Sequence, residues 1–329
     1  MNKVYKTIWN ERTGNFVVVS ELDRAHGKRS GASLARRAVV SVVLAGAGLV
    51  GGSGIAWAAN TTLGPNNTVE WLSDDNTLIG DSNTVGFLSD NNALTGYSNN
   101  VVLGSRNTLG GSNNTVTAGN DNILTGSDNA VAAGNDNILT GSDNAVLAVG
   151  SNNILGGSNN TVSWGSSNTL GGSNNTITVG DGNTLGGSNN TVTAGNDNIL
   201  TGSDNAVLIA GSNNILGGSN NIVSWGSSNT LGGSNNIVGE GDSNTLTGSS
   251  NSVLLGDDNT LTGSNITVIS GSGNTASGNS IIAAGEGNTA SGNRIIALGE
   301  GNAASGNGII AAGEGNTASG NRIIALGEG

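Results

Sequence analysis

The sequence predicts an all-β fold, a parallel β-roll or β-solenoid wound from coils of 14 to 15 residues and preceded by a helical signal segment. Three observations carry that expectation. The apolar side chains two residues past each recurring Asn, from Leu109 through Val116, Leu124 and Val131 to Leu261, alternate without exception between Leu and a β-branched residue. The Asn spacing alternates as well, mostly 7 then 8, so the unit is a pair of unlike halves such as SNNTLGG followed by SNNTVTAG. Gly and Asn sit at every corner between, and both tolerate the left-handed backbone that a tight corner needs.

Each half supplies three to five residues between turn-formers, enough for one short strand and too few for a helix. One coil is therefore strand, corner, strand, corner. Coils stacked at about 4.8 Å place Leu over Leu and Val over Val. The Asn residues would form a column of their own, with side-chain amides bonding up and down the stack. Two residues past the Val lie Ala118, Ala133, Ala148, Trp164, Val179, Ala194, Ile209, Trp225, Glu240 and Leu255, which a period of two puts on the same face as the Val. Ile123, Ile138, Ile154, Ile199 and Ile215 each precede a Leu, so some strands are apolar on both faces. A thin coil hides only one of them, and the other is expected to pack on a neighbouring copy.

Composition excludes an ordinary globular core and a collagen fibre. Gly at 57 of 329 residues, a single Pro and 3% aromatic residues do not build the first, and the triplet that the second requires is missing. Disorder is the competing reading of an Asn/Gly/Ser-rich chain, but random polar sequence does not keep a Leu/Val register. The first 58 residues hold eight of the 11 basic residues and three acids, so the remainder carries a formal charge of −17 against −12 for the whole. An acidic rod of this kind is not expected to bind nucleic acid or anionic lipid. There is no Cys, hence no disulfide and no thiolate zinc site.

In chain order, residues 1–58 read as an export signal. Ala38 to Ala56 is an apolar stretch preceded by Arg36 and Arg37, and Ala56-Trp57-Ala58 forms a small-x-small cleavage site before Ala59. The run is short and rich in Gly and Ala, which disfavours a membrane anchor, so no span is expected in the mature chain. The long segment before it resembles the extended signal peptide region of type V secretion, through Asn2, Lys3, Tyr5, Lys6, Ile8, Trp9, Asn10, Gly14, Val17 to Val19, Ser20, Glu21, Gly27 and Lys28. That resemblance implies a Gram-negative source and Sec-dependent export to the cell surface, outer membrane or medium. It leaves open monomeric autotransporters, trimeric ones and two-partner secreted proteins.

Residues 59–106 hold looser repeats with Trp71, Phe87 and Tyr97, and are expected to cap the stack. Residues 107–272 form the 15-residue ladder, in which the segment from Ser142 recurs almost unchanged 61 residues later from Ser203. Length has grown by duplication, which suits a spacer or contact surface better than an enzyme. Residues 273–329 tighten to 14 residues, as in GNTASGNSIIAAGE and GNTASGNRIIALGE. These resemble the head repeats of YadA-like trimeric autotransporter adhesins, which implies a left-handed roll and a homotrimer. No heptad stalk or barrel segment follows Gly329 in the sequence, so a truncated product or a free secreted rod is the expectation.

Catalytic chemistry has little to work with, since the only His is His26 and no Ser has a nearby base. No enzyme activity and no cofactor are expected. Asp121, Asp128, Asp136, Asp143, Asp197 and Asp204 recur in corners and are read first as solvated turns, with weak calcium binding as the alternative. Glu286, Glu300, Glu314 and Glu328 form a column with Arg294 and Arg322 nearby, read as solvated surface or as interchain pairing. Trp164 and Trp225 are expected at an interchain core or against a ligand such as a sugar ring, and Trp71, Phe87 and Tyr97 as further contact aromatics. Thr pairs such as Thr115/Thr117 and Thr191/Thr193 raise an ice-binding reading, which their irregularity weakens. The leading expectation is an adhesin passenger that attaches to an unknown host, matrix or cell-surface receptor. The alternative is a structural rod that assembles into filaments or biofilm matrix.

Overall fold

The computed structural model describes residues 5–10, 15–20 and 59–329. In the signal region, Tyr5–Asn10 and Asn15–Ser20 form an antiparallel β-hairpin in which Tyr5 faces Ser20 and Asn10 faces Asn15. The helix expected for this segment is not among the residues described; those that are described are strand. The apolar stretch Ala38 to Ala56 and the proposed cleavage residues Ala56 and Ala58 lie outside them, and Ala59, the first residue of the long described run, is exposed.

From Thr61–Leu63 to Ile324–Glu328 the chain winds about 18 turns of parallel β-solenoid, with no helix among the described residues. Each strand pairs in parallel with the strand one coil on. Ile123–Ser127 matches Ile138–Ser142 residue for residue, with Leu124 on Leu139. Ala130–Ala133 likewise pairs with Thr115–Ala118, with Val131 on Val116. The coil length is 16 residues between Asn76 and Asn92, 15 through most of the ladder, and 14 from Asn274 onward.

Four side chains per coil point inward: Asn, Leu, Asn and Val. The Leu and Val columns are fully buried from Leu78 and Val85 to Leu261 and Val268. Buried amides are tolerated only when fully hydrogen-bonded, and here they are. Asn122 donates from Nδ2 to Asn107 Oδ1 (2.9 Å) and to the Gly134 carbonyl (2.9 Å). Its own Oδ1 accepts from the backbone N–H and Nδ2 of Asn137. The second column repeats the pattern through Asn114, Asn129 and Asn144. Among the described residues no buried side-chain nitrogen or oxygen lacks a partner. The residue before each inward Asn takes left-handed φ, as at Asn113 (56°), Asp121 (58°) and Asp128 (58°), which accounts for the Asn, Asp and Ser found there.

The expectation that Trp164, Val179, Ile209, Trp225 and Leu255 share the Val face is overturned: all five are exposed, the two Trp at 55%. The backbone explains it. Thr115 N–H donates to the following coil at Asn129, whereas Gly119 N–H donates back to Leu103 of the preceding coil. Regular alternation would send both the same way. The strand slips by one just past the Val, and the period of two no longer applies.

Near the C-terminal end three columns change over two successive coils. Ile266 replaces the second Asn and is followed by Ile281, Ile295 and Ile309, while Leu261 gives way to Ala276 and Val268 to Ala283. A 14-residue coil encloses less, so a bulkier corner is matched by two Ala. Ala290→Leu is therefore expected to overfill its coil against Ile295 and to cost about 1–3 kcal/mol. Thermal melting that leaves this variant at the parent midpoint would show spare room in the tightened coils.

Candidate functional site

The coil interior is closed by its own side chains, so contact chemistry must lie on the outside. Two apolar surfaces stand out against the polar corners. The first is a column along the rod where the strand has slipped outward: Val149, Trp164, Val179, Ile209 and Trp225 are all exposed, with Ala194 between them. Trp164 is in register with Val179, and Ile209 with Trp225, which in turn lies on Glu240. Ile123, Ile138, Ile154, Ile199 and Ile215 are also exposed, on the other side of the same corners. Outward apolar residues were legible in the sequence; that the two Trp join them instead of the Val was not.

The second surface lies on the first coils. Trp71 and Phe87 occupy successive coils and stack with ring centroids 6.1 Å apart and an interplanar angle of 16°. Trp71 is 72% exposed and Phe87 39%. Leu72 and Leu88, the residues that follow them, are exposed too, and both hold left-handed φ (59° and 53°). Tyr97 is exposed but belongs to the opposite strand, Ala93–Tyr97, and is not part of this patch.

The local chain path explains the pair. From Val69 to Asn76 and from Val85 to Asn92 the sequence is one residue longer than from Val101 to Asn107, and the extra residue is the left-handed Leu. Buried serines tie the bulge down. Ser73 Oγ donates to the Gly86 carbonyl (2.8 Å) and accepts from Ser89 N–H (3.0 Å), while Ser89 Oγ accepts from Gly104 N–H (3.0 Å). An extra residue of this kind re-aims neighbouring side chains. Aligning EWLSDDN and GFLSDNN with the shorter VLGSRN would have shown the insertion in advance.

Glu70, Asp74 and Asp75 adjoin Trp71 and Leu72 in the chain, and Asp90 lies two residues past Leu88. Asp74 N–H is capped by Asp90 Oδ1 at 2.7 Å. Partial burial raises the Asp74 carboxyl above its ordinary value, and the negative charges of Asp90 and Asp75 add to the shift. A carboxyl raised in the folded state is a penalty above its folded pKa, and the penalty disappears as pH falls below it. Asp74→Asn is therefore expected to raise the melting temperature of the first coils at neutral pH and to lessen the gain on acidification from neutral pH toward the ordinary carboxyl range. Hydrogen-exchange protection of Thr77–Asp81 across that range is the readout, and equal pH slopes in both proteins would refute it.

Elsewhere, Arg106 and Asp121, one coil apart, form the single ion pair among the described residues (2.6 Å). The hydrogen bonds from Arg106 hold the Asp121 carboxyl below its ordinary value. Asp128, Asp136, Asp143, Asp197 and Asp204 occupy left-handed corner positions, as Asp121 does. No group of three His or acidic side chains converges as a metal-holding cluster among the described residues. Arg294 and Arg322 also sit at left-handed corners.

Comparison with known proteins supports both the export signal and the roll. The family model for the extended signal peptide of the type V secretion system matches residues 1–50. The model described as the grass antifreeze beta roll matches residues 109–163, 148–230 and 231–327. Together these take in more than half of the chain, which belongs to that β-roll family. Three curated relatives are autotransporters. Over 60 residues the chain is 42% identical to the autotransporter adhesin EhaG of Escherichia coli O157:H7, covering 18% of this chain and 4% of the relative. It is 48% identical over 73 residues to the autotransporter adhesin/invasin TibA of Escherichia coli O78:H11 (21% and 7%), and 43% identical over 76 residues to the autotransporter CRAC of Citrobacter rodentium (22% and 4%). The matches span under a tenth of each relative's length. The resemblance to autotransporter adhesins is supported, and with it export to the cell surface or outer membrane of a Gram-negative bacterium.

Proposed function

We propose that the chain is the passenger of an exported adhesin, a non-enzymatic rod that attaches the cell to host, matrix or other cells, and that copies associate side by side, as a homotrimer in the simplest case. One observation carries the reading. Leu, Val (or Ile) and two Asn already fill the coils that bear it, yet an apolar column with Val149, Trp164, Val179, Ile209 and Trp225 runs along the outside of a rod with a formal charge of −17. An exposed stripe of that length marks a contact surface. A second copy of the same chain matches it coil for coil, because only a partner with the same repeat stays in register along the whole stripe.

Sedimentation of the purified protein tests association. The expected result is a discrete oligomer that Trp164→Glu/Trp225→Glu converts to monomer with unchanged circular dichroism. A monomeric parent would refute self-association. Adhesion is tested by binding to immobilised matrix proteins and to cells, and a folded sample that binds none of them would remove the adhesive reading.

A second reading has its own observation. Thr245/Thr247, Thr260/Thr262, Thr275/Ser277, Thr289/Ser291 and Thr317/Ser319 line up as two outward hydroxyl columns, the first interrupted only at Ala303 and the second continued there by Ser305. With the antifreeze roll as its family, this face supports binding to ice. Ice-recrystallisation inhibition is the assay, and unchanged crystal growth at saturating protein would exclude it.

A further inference from the structure

We propose that the patch formed by Trp71, Leu72, Phe87 and Leu88 is a docking site for a cationic partner, an Arg- or Lys-bearing segment of another protein laid across the stacked rings. The inference rests on the adhesive reading and gives it a specific site and a partner chemistry.

The first argument is the backbone. A bulky residue with left-handed φ is unfavourable, and two successive coils each hold one, at Leu72 and Leu88. The coils that follow are one residue shorter at this corner and turn on Gly104 and Gly119 instead. The product of the costlier path is visible: an aromatic and a Leu from each coil are turned to solvent, and the two rings stack nearly parallel. The core gains nothing from it, because Leu78 and Val85 are buried in the same way as their counterparts further along.

The second argument is charge. Glu70, Asp74, Asp75 and Asp90 lie at this corner of these coils, and residues 59–105 contain no Lys, Arg or His. The bond from Asp74 N–H to Asp90 Oδ1 holds the Asp90 carboxylate against the Asp74 backbone. Arg106, in the next coil, where its backbone N–H donates to the Asp90 carbonyl, turns its guanidinium to Asp121, and among the described residues no ion pair reaches the carboxylates of the patch. Exposed indole and phenyl faces attract cations, and flanking carboxylates strengthen the attraction while leaving acidic partners repelled. A guanidinium suits the site best, since it stacks flat on an indole and donates from its edge to a carboxylate.

The test uses the purified protein and fluorescein-labelled nona-arginine, followed by fluorescence anisotropy at about 150 mM salt, where diffuse long-range attraction is screened. Trp71→Ala/Phe87→Ala should weaken binding by about tenfold or more. Glu70→Gln/Asp74→Asn/Asp90→Asn should weaken it and flatten its salt dependence. Trp164→Ala/Trp225→Ala should leave it unchanged. All the replaced aromatic side chains are exposed, and circular dichroism checks that each variant stays folded. The proposal is overturned if the parent does not bind the peptide, if the Trp71/Phe87 variant binds as the parent does, or if cellohexaose occupies the site and nona-arginine does not. Adhesion of the parent to matrix and cells is scored separately. Failure of the peptide result with adhesion intact removes the site alone, while absent adhesion with the peptide result intact removes the broader reading and leaves the site standing.

Discussion

Asn190→Asp is expected to destabilise the rod by about 4 kcal/mol, although it exchanges one amide for a carboxylate of the same shape. Asn190 is fully buried, and its Nδ2 donates to three acceptors: Asn175 Oδ1 (3.1 Å), the Gly186 carbonyl (2.7 Å) and the Gly202 carbonyl (3.0 Å). A carboxylate there presents a second acceptor to three acceptors and brings a charge out of water. The opposite oxygen still receives Asn205, so the cost falls on the donor side alone. Protonation restores one donor, so a carboxyl at this place has its pKa raised by burial. The deficit is accordingly largest at neutral pH and shrinks as pH falls through that raised value. Asn174→Asp is the control: Asn174 occupies the left-handed corner position, where other coils carry Asp, and the change should be close to neutral. Thermal melts of the two variants at neutral and acidic pH decide the matter. Equal midpoints would mean that the amide ladder does not hold the coils.

This contrast marks what is legible in the chain itself. The buried Leu and Val columns follow from a strict two-stripe alternation, because only stacking keeps two unlike residues from trading places over so many repeats. The Asn ladder follows from the same register. The slip past each Val is hidden, since it depends on which neighbouring coil a peptide N–H chooses, and the side-chain pattern does not record that choice. A period of two therefore assigns Trp164 and Trp225 to the Val face, and they lie on the outside.

The site is legible only in part. Trp71, Phe87 and Tyr97 stand out as aromatics in an aromatic-poor chain, but composition does not say which of them meet. Trp71 and Phe87 stack because a 16-residue coil separates them, and Tyr97 falls on the other strand. The Leu residues beside them carry the subtler signal: an apolar residue at a corner where later coils have Gly means either strain or an inserted residue, and here it means both.

Gly187→Ala carries the other large expected effect, a loss of about 3–5 kcal/mol from a single methyl group. Gly187 has φ +91°, a conformation that L side chains rarely adopt, and a Cβ there would run into the backbone carbonyl oxygen of Gly202 in the following coil. That carbonyl cannot retreat, because it is held by Asn190 Nδ2 at 3.0 Å. Gly187 in turn offers its own carbonyl to Ser173 N–H (3.0 Å) and Asn175 Nδ2 (3.0 Å), so the strain reaches the coil on either side. Its neighbour gives the comparison. Gly186 has open space where a Cβ would stand, its φ is not left-handed, and the matching position one coil on is Thr201. Gly186→Ala should therefore leave the melting temperature unchanged or raise it slightly, as removing backbone freedom from the unfolded chain does. The two adjacent variants differ in whether the residue must hold a left-handed φ and in whether the new methyl group points along the stack or out to water. If they melted together, the close approach of coils along the Gly column would have no part in the stability of the rod.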